Sequence, residues 1–196
     1  MSVKYPYTNL ATVIMNKRQI IAVENRKILL DAATNVFRQH GINAPLQLII
    51  DQAQLGRATF YRNFTDRRDL VLALMHQALA RLEQKAAFFS QYPDGFVRLL
   101  KNHVHNLPYL TALMEYWRVI ERDDPELQQI YLRRNQILQP LIDTAIQHKI
   151  CRADLNSQDY ALVTALLRAS FQGMDEAAQI RLAERAIELL INGIKA

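Results

Sequence analysis

Hydrophobic positions recur every three to four residues along this chain, and no stretch alternates with period two, so the pattern predicts helices and no strands. A clear first helix is expected over residues 24–39, where Leu29, Ala33, Val36 and Phe37 share one stripe and Gly41 can close the helix in a left-handed conformation. Pro45 opens a second helix running to about residue 52, since a missing N–H costs nothing at a first helical position. Residues 53–56 make a tight turn, and a two-turn helix covers 57–63. Asp66 is placed to cap a fourth helix reaching about residue 88, with Asp69 as its reciprocal capping-box partner and Leu70, Leu74, Ala78 and Leu82 on one face. After a break at 90–95, helices are expected from about 96 to 105, over 109–121, over 125–149, over 157–172 and over 175–192. Pro140 should bend or split the third of these. Residues 1–20 lack a firm pattern, and Tyr5, Pro6 and Tyr7 oppose a helix, so they read as a flexible arm.

The short helix at 57–63 is the informative one. A comb of Leu46, Ile49, Ile50, Ala53, Leu55, Phe60 and Phe64 is spaced to seat it, while Arg57, Thr59, Tyr61, Arg62 and Asn63 remain for the outer face. Two short helices across a tight turn, the second polar outside and apolar inside, make a helix-turn-helix, whose second helix enters a major groove about 12 Å wide. A guanidinium at Arg57 can fork onto guanine or grip a phosphate, Thr59 and Tyr61 offer hydroxyls, and Arg62 and Asn63 extend the polar face. Arg67, at the start of the following helix, is expected to add charge where free amides already attract phosphate.

Charge strengthens this reading. The net charge is +5, and it is not spread evenly. Residues 1–70 carry ten Lys/Arg against five Asp/Glu, whereas the remainder carries 14 of each sign. The excess thus accompanies the helix-turn-helix, as a polyanion partner requires. Composition excludes other classes. Half of the 196 residues are hydrophobic and only five are glycine and six proline, which favours a folded helical protein over a disordered one. No apolar run spans a bilayer and no secretory leader is evident, so no membrane partner is expected and the cytoplasm is the expected compartment. The lone Cys151 permits no internal disulfide, and as an unpaired residue in an expected loop it carries no evident role. His103 and His105 are too close on a helix to share a metal, and no His-Glu-x-x-His, Cys-x-x-Cys, phosphate loop or nucleophile-base set is present; neither metal, cofactor nor enzymatic chemistry is expected.

The segment Ile49-Ile50-Asp51-Gln52-Ala53-Gln54-Leu55-Gly56-Arg57-Ala58-Thr59-Phe60-Tyr61-Arg62-Asn63-Phe64 resembles the helix-turn-helix of the TetR family of transcriptional regulators. The helix at 28–37 leading to Gly41 resembles that family's first helix, and Asp66 to Leu70 its fourth-helix start. Two positions depart from the family pattern. Gln54 stands where a turn glycine is usual, and Ala58 where a glycine often permits close approach to DNA.

The resemblance implies an all-α chain in three parts: an arm at 1–20, a three-helix DNA-binding domain at 21–68, and a helical ligand-binding and dimerisation domain at 69–196. Broad apolar faces at Leu162, Leu166 and Ala169, and at Ile180, Ala183, Ile187, Leu190 and Ile191, can be buried within one chain or against a twin; the resemblance favours the twin. Phe96, His103, Leu113, Met114, Trp117, Tyr131 and Phe171 supply soft and aromatic surface for a small-molecule pocket, though a plain core has the same make-up. The function expected is a homodimeric repressor of a near-palindromic double-stranded DNA operator, released by a small-molecule effector. The alternatives are a helical enzyme or carrier built on a hydrophobic pocket, and an architectural DNA binder without a ligand.

Overall fold

The computed structural model describes residues 16–102, 124–168 and 175–194. Within them lie eight helices and no strand: α1 Lys17–His40, α2 Leu46–Ala53, α3 Arg57–Asn63, α4 Arg67–Phe89, α5 Gly95–Asn102, α6 Pro125–Gln147, α7 Asp159–Arg168 and α8 Glu176–Ile194. The helix expected at 109–121 lies outside the described residues, as does most of the expected arm.

Helix α1 starts well before residue 24. Asn16 accepts from the Gln19 amide at 2.9 Å while the Gln19 side chain accepts from the Asn16 amide at 2.8 Å, a complete capping box. The first three turns carry Ile20, Ile21 and Val23 exposed, so no apolar stripe marked them in the pattern; the cap and backbone continuity hold them. Leu29, Leu30, Ala32, Ala33, Val36 and Phe37 are buried, and Gly41 closes the helix at φ +76°. Pro45 is the cap of α2 rather than its first residue. Asp66 caps α4 by accepting from the Asp69 amide, but Asp69 reaches one residue further back than a capping box requires, to the Thr65 amide at 2.9 Å.

Two hydrophobic cores result. The first joins α1, α2 and α3 with Leu70 to Met75 of α4 and with Leu127 and Ile130 of α6. The second gathers Leu82 and Ala86 of α4, Phe96 to Leu100 of α5, the later turns of α6, and Tyr160, Val163, Ala183, Ile187 and Ile191 from α7 and α8. Helices α4 and α6 therefore pass through both cores. They run in the same direction, as the pairs Arg68–Asp124, His76–Glu126 and Glu83–Arg133 show along their length. Asp124 also caps α6, accepting from the Glu126 and Leu127 amides; the Arg68 hydrogen bond, seconded by those amides, holds its carboxyl below the ordinary carboxylate range.

Pro140 neither splits α6 nor ends it: the helix runs unbroken from Pro125 to Gln147. Ile137, Leu138, Leu141 and Ile142 on both sides of the proline are buried in the second core, and that burial outweighs the lost backbone hydrogen bond. Cys151 lies in the expected connection, between α6 and α7. It is buried in the second core, and burial pushes its thiol upward, which makes the reactive thiolate scarcer.

The apolar face expected to meet a twin is also largely used within the chain. Ala183, Ile187 and Ile191 are buried in the second core, and Ile180 and Leu190 pack partly against it. Periodicity identifies a buried stripe but not what buries it. Leu162 is exposed, whereas the side chain of Leu166 and residue Ala169 lie outside the described residues. Of the expected pocket residues, Phe96 is packed in the second core and Tyr131 lies against the first. His103, Leu113, Met114, Trp117 and Phe171 lie outside the described residues.

Gln54 and Lys149 end α2 and α6 in the left-handed region, at φ 53° and 56°. In each case the next amide returns to the carbonyl five residues back, Leu55 to Ile50 and Ile150 to Ala145. A side chain pays a steric cost there that glycine does not, offset partly by glycine's larger unfolded-state entropy. Q54G and K149G should each stabilise the fold by about 0.5–1 kcal/mol, read from urea unfolding followed by circular dichroism. Loss of stability in both would rule out strain at these caps.

Candidate nucleic-acid interface

Helix α3 has seven residues and is held from the inside. Phe60 and Phe64 are both 0% exposed, with ring centroids 5.9 Å apart. Leu46 and Leu55, expected to be fully buried, are partly so and pack on the same core. The turn from α2 follows from the left-handed Gln54, and Gly56 starts α3 in an extended conformation.

Two arginines complete the seat, and neither role was evident in the sequence. Arg26 of α1 donates through Nη1 to the carbonyl of Asn63 at 2.7 Å and lies 4.3 Å from the centre of the Phe64 ring. It thus satisfies a free carbonyl at the C-terminal end of α3, where a cation is favoured. Arg67 was expected to face phosphate. Its guanidinium instead donates through Nη2 to the Ala44 carbonyl at 2.6 Å and through Nη1 to the Ile42 carbonyl, with its carbon 5.9 Å from the Phe37 ring centre. That fork ties the start of α4 to the loop between α1 and α2. No local spacing signals either contact, because the partners lie 37 and 25 residues away.

The remaining expected residues divide by exposure. Arg57, Tyr61 and Arg62 are exposed, and Thr59 and Asn63 are half-buried. Arg57 lies over the Tyr61 ring at 5.6 Å, and Arg62 donates to the Thr59 hydroxyl at 3.0 Å. Asn63 turns back on its own helix, donating to the Thr59 carbonyl at 2.8 Å, so its side-chain amide is already engaged. The outer surface of α3 is therefore a compact cationic and aromatic patch of Arg57, Tyr61 and Arg62. Ala58 is exposed beside it.

Residues 29–74, from the buried half of α1 through the first turns of α4, match the family model for bacterial regulatory proteins of the tetR family. Residues 29–74 are thus a tetR-type helix-turn-helix segment. Solved TetR structures share the chain's fold. The transcriptional regulator SCO0520 from Streptomyces coelicolor is 25% identical, with a TM-score of 0.61 over 87% of this chain and 98% of that one. A TetR transcription regulatory protein from Mycobacterium vanbaalenii is 17% identical, with a TM-score of 0.65 over 91% and 99%. The Stenotrophomonas maltophilia repressor SmeT is 17% identical, with a TM-score of 0.56 over 87% and 90%. A comparison with curated proteins finds no match. The matched family is one of bacterial regulatory proteins, and the solved structures share this chain's fold.

Because Arg67 braces the TetR head, R67A should act first on stability. Hydrogen bonds from a charged donor contribute about 1.5–3 kcal/mol each when their partners are left unsatisfied. We expect R67A to cost about 2–3 kcal/mol in chemical denaturation, and R67K to recover only part of it because an ammonium lacks the fork. An R67A protein of unchanged stability would return Arg67 to the DNA-facing set.

Proposed function

We propose that this TetR-family regulator is a homodimeric repressor that binds a near-palindromic operator in double-stranded DNA and is released by a small-molecule effector. The observation that carries the reading is the α3 patch: Arg57, Tyr61 and Arg62 stand exposed on a helix whose rotation is set by the fully buried Phe60 and Phe64. A fixed helix presenting a fork-shaped donor suits base recognition, whereas an architectural binder needs only diffuse charge. In this reading Arg57 contacts base edges, Tyr61, Arg62 and Thr59 contact the backbone, and Asn63 and Arg67 hold the head in shape.

The division of labour follows the two cores. A head at 21–68 reads DNA, a body at 69–196 pairs with a twin and receives the effector, and residues 1–20 form an arm. Support for the twin comes from Leu162 of α7, 64% exposed, and Leu189 of α8, 56% exposed, on two helices that pack together. Two such heads related by a twofold call for an inverted repeat with half-sites about one helical turn apart, roughly 34–36 Å, or a multiple of it. Among the described residues no helix is long and apolar enough to cross a membrane, and a DNA-bound role assigns the cytoplasm.

Footprinting on the upstream region of the protein's own gene tests the reading, with protection of an inverted repeat expected. R57A should weaken binding to that site by about 1–3 kcal/mol and relax its sequence preference, with little change on unrelated DNA. Equal losses on both DNAs would make Arg57 a phosphate contact only. Replacing both Leu162 and Leu189 with glutamate should convert a dimer to a monomer in sedimentation equilibrium without loss of helicity. A double variant that remains dimeric would place the twofold elsewhere.

A further inference from the structure

Helices α4 and α6 cross from one core to the other, and Leu79 of α4 packs against both. On α6 the crossing falls at Arg134 and Asn135, between Ile130 of the first core and Ile137 of the second. Arg134 is largely enclosed. Its guanidinium carbon lies 5.2 Å from the centre of the Tyr131 ring and 5.8 Å from that of Tyr160. Its Nε and Nη2 donate to the Asn135 side-chain oxygen, at 3.2 and 3.0 Å.

No carboxylate among the described residues pairs with it. The acids of α4 and α6 are committed elsewhere: Asp69 to the Thr65 amide, Glu83 to Arg133, Glu126 to Arg68 and His76, and Asp143 to Gln139. A guanidinium has five N–H donors and stays charged in proteins. Asn135 takes two of Arg134's, which leaves three without an acceptor among the described residues. A charge withdrawn from water is ordinarily paired, and two aromatic faces compensate it only in part. Burial accordingly pushes the Arg134 pKa below the ordinary guanidinium value.

We propose that Arg134, flanked by Tyr131, Asn135 and Tyr160, is the counter-ion for a small organic acid with an apolar body, and that this anion is the effector. The proposal rests on the effector-released reading given above. The three remaining donors of Arg134 match the oxygens of a carboxylate or sulfonate, and the Tyr131 and Tyr160 rings beside it offer surface to the apolar body. The position also links binding to the head. Tyr131 packs on the first core and Tyr160 belongs to the second, so an anion that draws Arg134 out of the ring stack disturbs a contact joining the two.

Fluorescence titration of the full chain with 1-anilinonaphthalene-8-sulfonate, against the uncharged N-phenyl-1-naphthylamine, tests the site. R134Q should weaken the sulfonate probe at least tenfold and change the neutral probe less than twofold, and R134K should fall between wild type and R134Q for the sulfonate. Should R134Q fold poorly, competition on the wild type decides. Naphthalene-1-sulfonate should displace the bound probe at least tenfold more effectively than naphthalene-1-sulfonamide. A wild type that does not bind the sulfonate probe, an R134Q variant that binds it normally, parallel loss of both probes in a folded R134Q, or equal displacement by the two competitors would each overturn the proposal. Operator gel shifts separate it from the reading beneath it. If uncharged compounds release wild type and R134Q alike, the anion site fails and ligand release stands. If sulfonates bind through Arg134 but never alter operator affinity, the binding site stands and effector release fails.

Discussion

A helix of seven residues does not persist alone in water, because nucleation costs more than so few hydrogen bonds return. The surface formed by Arg57, Tyr61 and Arg62 therefore exists only through what lies beneath it. Phe60 and Phe64 set the rotation of α3 about its axis, and the Arg26 bond to the Asn63 carbonyl sets where the helix ends. A slip of one residue would turn every side chain by about 100° around a helix of 3.6 residues per turn and exchange the polar face for the apolar one. Base recognition needs donors placed to a fraction of an ångström, so in the proposed reading the fully buried phenylalanines are as necessary to sequence choice as Arg57 above them.

The same logic extends to the joint between head and body. Leu127 and Ile130 of α6 belong to the head's core although they lie more than fifty residues beyond α3. The surface pairs Arg68–Asp124, His76–Glu126 and Glu83–Arg133 each contribute little by themselves, since at least one partner of each remains solvated. Their value is registry. They fix which turn of α4 faces which turn of α6, and the two apolar stripes follow. For the proposed effector release, sharing α4 and α6 between the two cores supplies a mechanical path: a small relative shift of the two helices moves the surface on which α1, α2 and α3 rest.

What was legible in the sequence is what is local. The α2–turn–α3 unit, the buried comb, the closing Gly41 and the stripe of α4 all follow from spacing, because each is decided by neighbours within one or two turns. The conflict foreseen at Gln54 is present, with that residue held at φ 53°. The errors share a different cause. Arg67 reads as a phosphate contact until the Ile42 and Ala44 carbonyls are brought to it by the chain's path. Ala183, Ile187 and Ile191 read as a face for a twin until the second core, with α5 and α7 packed on α8, takes them up. Pro140 reads as a bend or a split, and it does not split the helix because the burial of Ile137, Leu138, Leu141 and Ile142 stands against the roughly 3 kcal/mol that a mid-helix proline costs. In each case a tertiary partner decides, and periodicity does not name partners.

Charge repeats the point at larger scale. The ten cations of residues 1–70 suggest a strongly attractive face, yet they are not equivalent once folded. Arg26 and Arg67 spend their donors on backbone carbonyls, and Arg68 is held by Asp124. Lys17, Arg18, Lys27, Arg57 and Arg62 are exposed. Only cations that meet phosphate release counterions, and the salt dependence of binding scales with their number. Net charge thus sets an upper bound on phosphate contacts rather than their count. The difference is made up of arginines that hold the head rigid, which is the condition under which the outward ones can discriminate between bases at all.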